Sequence, residues 1–138
     1  MQLYFAYGSN MDVSQMEQRC PGAVCRGVGT LADHRFVINR RGVATLVPHP
    51  GGLVHGLLWA LTPDHVASLD HYEGVREGRY VQDYVEVQAG EGPATALVYL
   101  ATDATAGTPR PGYLEMVVRA ARELQLPAGY FADLERCA

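Results

Sequence analysis

The sequence lacks the features that identify disulfide-rich, secreted and membrane-spanning proteins. Its 138 residues contain three cysteines, whose spacings match neither a zinc ribbon nor a C-x-x-C redox pair, so we expect reduced thiols. No apolar run approaches the roughly 18 residues that a membrane span needs, and no basic and apolar leader precedes the first strand-like stretch. We therefore expect a protein without a membrane partner, located in the cytoplasm.

Signals for nucleic acids, metals and nucleotides are also missing. The net charge is -4, and the 11 Lys and Arg residues form no long basic run. The five histidines are scattered, without an H-E-x-x-H motif, and neither a P-loop nor a G-x-G-x-x-G fingerprint occurs. We expect no nucleic-acid partner, no metal and no cofactor.

The chain has the composition and the element pattern of a single α+β domain over residues 1-138. Strand-like stretches dominate the first two thirds and helical spacing the last third, which indicates a mostly antiparallel sheet that can curl into a barrel, flanked by helices. Gly and Pro residues divide the strand-rich part, and the stretches that we predict as separate strands there are Val24 to Leu31, Arg35 to Arg41, Val43 to Pro48 and Leu53 to Leu61. Thr62 and Pro63 predict a helix start, and Gly74 its end.

The stretch from Leu3 to Met11 combines a buried strand with a Gly-Ser-Asn turn. Gly8 allows the backbone to turn sharply or to approach a ligand closely. Successive N–H groups of such a loop can form a concave site that binds carboxylates or phosphates. Many strands end in the same way with no ligand, so this pattern alone leaves a plain turn as the alternative.

A second candidate lies at the end of the helix that begins at Pro63. Asp70 and Glu73 are three residues apart and share a helix face in the last turn. The negative end of the helix dipole and a neighbouring carboxylate both disfavour ionisation, so we expect a raised pKa for Glu73. A raised pKa suits a general acid/base near neutral pH, although acidic residues also occur at solvated helix ends.

Tyrosines at strand ends and at a helix start supply the third candidate group, which consists of Tyr7, Tyr80, Tyr99 and Tyr113. Their hydroxyls can line a pocket and bind a small ligand, and each taken singly also fits ordinary half-buried packing. Ser9 does not sit in a G-x-S-x-G elbow, because Tyr7 and Met11 occupy the outer glycine positions. A serine hydrolase acting through Ser9 is therefore the weakest hypothesis.

Taken together, five blocks in this order resemble the γ-glutamylcyclotransferase family. The blocks are Leu3 to Met11, Gly42 to Leu46, Leu69 to Val75 with Tyr80 just after it, Val98 to Leu100, and Tyr113-Leu114 leading to Tyr130. The resemblance implies a small mixed β-barrel flanked by helices. It also implies an enzyme that cyclises the γ-glutamyl group of a γ-glutamyl amide to 5-oxoproline and releases the free amine.

The resemblance further implies roles for individual residues. Glu73 matches the catalytic acid/base, and the loop that binds the glutamyl group corresponds to Tyr7, Gly8, Ser9, Asn10 and Met11. Tyr80, Tyr99 and Tyr113 match pocket tyrosines. The substrate's own α-amine is the nucleophile, so no metal or cofactor is required.

The sequence leaves four points open. The released amine is an amino acid, a lysine ε-amine or a biosynthetic intermediate, and the loop binds either the substrate carboxylate or the oxyanion. A non-catalytic module that binds γ-glutamyl or amino-acid-like ligands is the alternative to an enzyme. We keep a homodimer as a candidate assembly.

Overall fold

Residues 1-138 are all described by the computed structural model, which forms a closed five-stranded barrel with helices outside it. The strand order around the barrel is β1-β3-β2-β4-β5, and β5 closes it by pairing with β1 in parallel, whereas the other pairs are antiparallel. The predicted mixed, mostly antiparallel barrel is confirmed. The elements are β1 (Gln2–Ala6), α1 (Val13–Arg19), β2 (Val24–Ile38), β3 (Ala44–Leu61), α2 (Pro63–Tyr72), β4 (Tyr80–Ala89), β5 (Gly92–Ala101), α3 (Tyr113–Glu123) and α4 (Ala128–Glu135).

The prediction of four separate strands between residues 24 and 61 is wrong. This part of the chain forms two long strands, β2 and β3, that pair along almost their whole length. The chain bends at Asp33, which has a φ of 60° and whose carboxylate accepts a hydrogen bond from the Gly51 N–H at 3.0 Å. Opposite this bend, β3 carries the Pro- and Gly-rich stretch that looks like a turn in the sequence. A bulge bends a strand without ending it, so both strands can wrap around the barrel.

Capping residues fix the ends of the first two helices, and those of α2 lie where the sequence predicts. Asp12 caps α1 by accepting a hydrogen bond from the Ser14 N–H. Thr62 and His65 form a reciprocal capping box at the start of α2, with Pro63 in the first turn. Gly74, with a φ of 66°, follows the helix and turns the chain away. This ending leaves Glu73 at the C-terminal cap of α2.

The hydrophobic core fills the barrel and continues under the last two helices. Phe5 of β1, Val54 of β3 and Val87 of β4 are fully buried, as are Val117 of α3 and Leu134 of α4. All three cysteines are free thiols. None of the helices has the length and apolar character that crossing a membrane requires.

Candidate active site

A cavity of about 270 Å³ opens between the end of β1, the end of α2 and the start of α3. Its lining includes eight of the sequence-predicted site residues, namely Tyr7, Gly8, Ser9, Asn10, Glu73, Tyr80, Tyr99 and Tyr113. Met11 is the exception, because its side chain is buried in the core and its N–H donates to the Gly8 carbonyl at 3.1 Å. The Met11 N–H is therefore already hydrogen-bonded within the loop, and a role for Met11 in binding stays a prediction.

The loop after β1 is held rigidly by its own asparagine. The Asn10 side chain donates to the Tyr4 hydroxyl at 3.0 Å and accepts from Arg19 at 3.0 Å. The Asn10 backbone carbonyl accepts from the Trp59 indole at 3.2 Å. Both the side chain and the backbone of Asn10 are therefore hydrogen-bonded within the protein. The Asn10 side chain therefore braces the loop, and Gly8 and Ser9 beside it line the cavity.

Gly8 lies close to a tyrosine hydroxyl on the neighbouring helix. A Cβ at this position would lie 3.1 Å from the Tyr113 hydroxyl and 3.5 Å from the Ala44 side chain. That hydroxyl accepts a hydrogen bond from the Ala44 N–H at 3.2 Å. Burial raises the pKa of Tyr113, while the backbone N–H groups of Ala44 and Ser9 lower it. The loop, β3 and α3 therefore meet at one hydroxyl oxygen.

Glu73 is the one acidic side chain in the cavity lining. Burial raises its pKa to about 7, and the nearby Arg19 guanidinium lowers it. The raised pKa agrees with the sequence-based expectation, but its cause is burial rather than the helix dipole or Asp70. The Asp70 carboxylate instead accepts hydrogen bonds from the Tyr99 hydroxyl at 2.7 Å and from Gln82 at 2.6 Å.

The tyrosine hydroxyls have their hydrogens bound to the protein. Tyr7 donates to the Tyr99 carbonyl at 2.6 Å, and Tyr80 donates to the Ala44 carbonyl at 2.6 Å. Tyr99 donates to Asp70, as described above. Each hydroxyl has one hydrogen and two lone pairs, so these three oxygens can act only as acceptors toward a ligand.

Four arginines also line the cavity, at Arg19, Arg41, Arg79 and Arg110. Arg19 stacks over the Tyr72 ring, with 4.8 Å between the guanidinium carbon and the ring centroid. No group of three or more His, Cys, Asp or Glu side chains is arranged to hold a metal ion. The cavity therefore combines one buried carboxyl group, acceptor tyrosines and an excess of positive charge.

Comparison with known proteins identifies the family. Residues 53–134, more than half of the chain, match the AIG2-like family. The γ-glutamylcyclotransferase of Mus musculus is 34% identical over 144 residues, which cover 96% of this chain and 77% of the relative. That of Homo sapiens shows the same identity and coverage. The chain belongs to the γ-glutamylcyclotransferase family.

A solved structure agrees with this assignment across nearly the whole fold. A structure of γ-glutamyl cyclotransferase matches this one with a TM-score of 0.89 and 33% sequence identity, covering 97% of this chain and 86% of the other. The resemblance seen in the sequence, the α+β barrel and the interpretation as an enzyme of the γ-glutamylcyclotransferase type are confirmed.

The sequence reasoning missed the four cavity arginines of this family member. None of the four is among the residues that the sequence predicts for the site. One signal was available, because Arg41 directly precedes the Gly42 to Leu46 block of the family resemblance. Arg79 and Arg110 carry no comparable local signal.

Proposed function

We propose that this chain converts a γ-glutamyl amide to 5-oxoproline and a free amine, with Glu73 as general acid/base. The observation that carries the proposal is the pKa of about 7 that burial gives Glu73 on the cavity wall. At neutral pH such a group is present in both protonation states. General acid/base catalysis is most effective when the pKa of the catalytic group is near the working pH.

Glu73 serves the proton transfers of this reaction. The carboxylate takes a proton from the substrate's α-ammonium, and the resulting amine attacks the γ-carbonyl carbon to close a five-membered ring. The bond from that carbon to the amide nitrogen then breaks, and Glu73 returns the proton to the leaving nitrogen. The ring nitrogen still carries two protons, so Glu73 takes one of them as the lactam forms and passes it to the released amine, which leaves as an ammonium ion. The substrate supplies the nucleophile, so the protein contributes orientation and proton transfer.

We assign the γ-glutamyl group to the part of the cavity between the Tyr7 to Asn10 loop and the tyrosines. The oxygens of Tyr7, Tyr80 and Tyr99 can only accept hydrogen bonds, which suits an α-ammonium group. The backbone around Gly8 and Ser9 supplies donors for the carboxylate or the developing oxyanion. Tyr113 braces this loop against β3 through its hydroxyl.

The test is 5-oxoproline release from a panel that contains a γ-glutamyl dipeptide, a lysine ε-adduct and a γ-glutamyl alkylamide. We expect release from at least one of them, and a loss of about 10²- to 10⁴-fold in kcat for Glu73→Gln, which is nearly isosteric but cannot exchange protons. Glu77→Gln, an exposed acid outside the cavity, is the matched control. Binding of a γ-glutamyl ligand without any release would favour the binding-module alternative.

Several expectations from the sequence accompany this proposal. They are the action of residues 1-138 as one domain, turnover without metal or cofactor, a cytoplasmic location, the absence of nucleic-acid and membrane partners, and a homodimeric assembly. Dialysis against a chelator before the assay tests the requirement for metal. Size-exclusion chromatography with light scattering tests the assembly.

A further inference from the structure

Tyr4 is a buried tyrosine of the cavity lining that lies outside the sequence-predicted site. Its ring packs edge-to-face against the Tyr99 ring, with 5.8 Å between the ring centroids. The Tyr4 hydroxyl makes one hydrogen bond within the protein, in which its oxygen accepts from the Asn10 side chain at 3.0 Å. A hydroxyl has one hydrogen to donate, so the Tyr4 hydroxyl keeps a hydrogen that no protein atom accepts.

The direction of the bond between Asn10 and Tyr4 is fixed by Arg19. The Arg19 guanidinium donates to Asn10 Oδ1 at 3.0 Å, and arginine offers no acceptor, so the amide atom beside it is the oxygen. The other end of the amide is Nδ2, which has only hydrogens to offer to Tyr4. The cation at the start of this chain also polarises the bonds that follow it. The Tyr4 O–H therefore points to another partner and is strengthened as a donor.

This arrangement distinguishes Tyr4 from the other tyrosines of the cavity. The hydroxyl hydrogens of Tyr7, Tyr80 and Tyr99 are bound to protein acceptors. Tyr113 also keeps its hydrogen, and its oxygen lies against the loop after β1. Tyr4 is thus the donor hydroxyl that is joined to the arginine beside the catalytic acid.

The Tyr4 hydroxyl lies near Glu73. Burial raises the pKa of Tyr4 well above its usual value, and the charge of Glu73 raises it further, whereas the bond from Asn10 and the charge of Arg19 lower it. The hydroxyl therefore keeps its proton near neutral pH and acts by hydrogen bonding. In the tetrahedral intermediate, both nitrogens that exchange protons with Glu73 are bonded to the carbon that carries the oxyanion. A donor near Glu73 is therefore in place for that oxyanion.

We propose that Tyr4 is a catalytic residue whose O–H donates a hydrogen bond to the oxyanion on the γ-carbonyl carbon, an inference that rests on the proposed cyclisation. The charge on this oxygen develops as the ring closes, so the hydrogen bond is stronger in the transition state than in the bound substrate. The backbone donors around Gly8 and Ser9 are then left for the substrate carboxylate.

The experiment compares γ-glutamyl-alanine with its γ-thioamide, in which sulfur, a weak hydrogen-bond acceptor, replaces the γ-carbonyl oxygen. Release of alanine measures both reactions. In Tyr4→Phe we expect kcat for the amide to fall about 10²- to 10³-fold, the cost of removing one oxyanion donor, with KM nearly unchanged. The ratio of kcat for the amide to kcat for the thioamide should fall by about tenfold or more, because the thioamide gains less from this donor.

The control is Tyr130→Phe, which removes a buried tyrosine hydroxyl outside the cavity and keeps both the wild-type kcat and the ratio. A second variant, Asn10→Asp, tests the same hydrogen with Tyr4 in place. The introduced carboxylate can only accept, so it takes the Tyr4 hydrogen away from the substrate, and we expect the ratio to fall here too. Each ratio compares two substrates on one enzyme sample, so a partly folded variant or a shifted pKa of Glu73 does not alter it.

The outcomes separate this inference from the proposed function. A wild-type kcat in Tyr4→Phe, or a loss of kcat with an unchanged ratio, would overturn the role of Tyr4 and leave the cyclisation standing. Should Tyr4→Phe fail to fold, the ratio in Asn10→Asp decides, and an unchanged ratio there overturns the role of Tyr4. Release from neither substrate by wild type would overturn the cyclisation itself, together with the role of Tyr4.

Discussion

The two sides of the cavity are built in different ways. The acid side, formed by Arg19, Tyr72 and Glu73, belongs to the ends of two helices, α1 and α2. Burial raises the pKa of the Glu73 carboxyl group. Arg19 donates a hydrogen bond to the Asn10 side chain and stacks over the Tyr72 ring. The arginine side, formed by Arg41, Gly42 and Arg110, consists of two crossing loops, in which the Arg110 side chain donates to the Arg41 carbonyl and the Arg110 N–H to the Gly42 carbonyl. Its guanidinium groups make no ion pair within the protein.

This difference suits the acid side to proton transfer and the arginine side to the choice of substrate. A proton-transfer group needs a shifted pKa, which burial against a packed core supplies. A group that selects substrates needs exposure at the opening and a fixed direction, which a loop crossing supplies without burial. We therefore expect changes on the acid side to alter the rate and its pH dependence, and changes on the arginine side to alter the choice of substrate.

The largest effect should appear in the pH profile of kcat/KM. With Glu73 as the base in the free enzyme, kcat/KM rises about tenfold per pH unit below the pKa and levels off above it. The break should fall at about 7, where burial places the pKa of Glu73. Because Arg19 lowers that pKa, Arg19→Gln should move the break to higher pH, and Arg41→Gln should leave its position unchanged. An equal shift of this pH in both variants would contradict the claim that only the acid side sets the pKa of Glu73.

A smaller effect is expected from Gly42→Ala on the arginine side. The residue has a φ of 80°, and the added Cβ would lie 2.8 Å from the Arg110 N–H nitrogen, so the two loops must separate. Guanidinium groups attract carboxylates, so we expect the ratio of kcat/KM for γ-glutamyl-alanine to that for its carboxamide to fall, with the pH break unchanged. Gly51→Ala is the control, because Gly51 has the same φ of 80° with no atom within 4 Å of the added Cβ. Equal selectivity in both variants would show that the crossing does not position Arg110.

The smallest effect concerns the loop that joins the two sides. In Gly8→Ala the new Cβ lies 3.1 Å from the Tyr113 hydroxyl, so that hydroxyl must shift by a few tenths of an ångström. We expect KM for a γ-glutamyl amide to rise about two- to fivefold, equivalent to roughly 0.5 to 1 kcal/mol of binding. In a Tyr113→Phe background the same substitution should cost less, which a double-mutant cycle measures. Additive effects would mean that the contact with Tyr113 does not transmit the change.

Local sequence signals were sufficient for the elements that end in strong caps or turns. Thr62 and Pro63 predicted the start of α2, and Gly74 its end, because capping and backbone conformation depend on neighbouring residues alone. The same logic failed at Pro48 to Gly52, where Pro and Gly residues suggested a turn. The pairing of β3 with β2 continues past them, since a bulge against Asp33 absorbs the extra residues.

The pKa of Glu73 shows where a correct expectation had an incomplete reason. The position of Glu73 at a helix end is readable from the sequence, and it suggested a dipole effect. The dominant cause is burial, which depends on residues of other elements that pack around the carboxyl group. Asp70, three residues before it, has no effect of this kind and instead fixes the Tyr99 hydroxyl.

The sequence by itself determined the family, the mixed barrel, and the loop, acid and tyrosines that meet in the cavity. These features rest on short segments whose residue types have local meanings. Only the tertiary structure decided which arginines join them, because Arg19, Arg41, Arg79 and Arg110 lie in separate parts of the chain or of the fold and line one cavity only after folding. The electrostatic effect of an arginine depends on which groups lie near it in the folded protein, and the residues next to it in the sequence do not determine those neighbours.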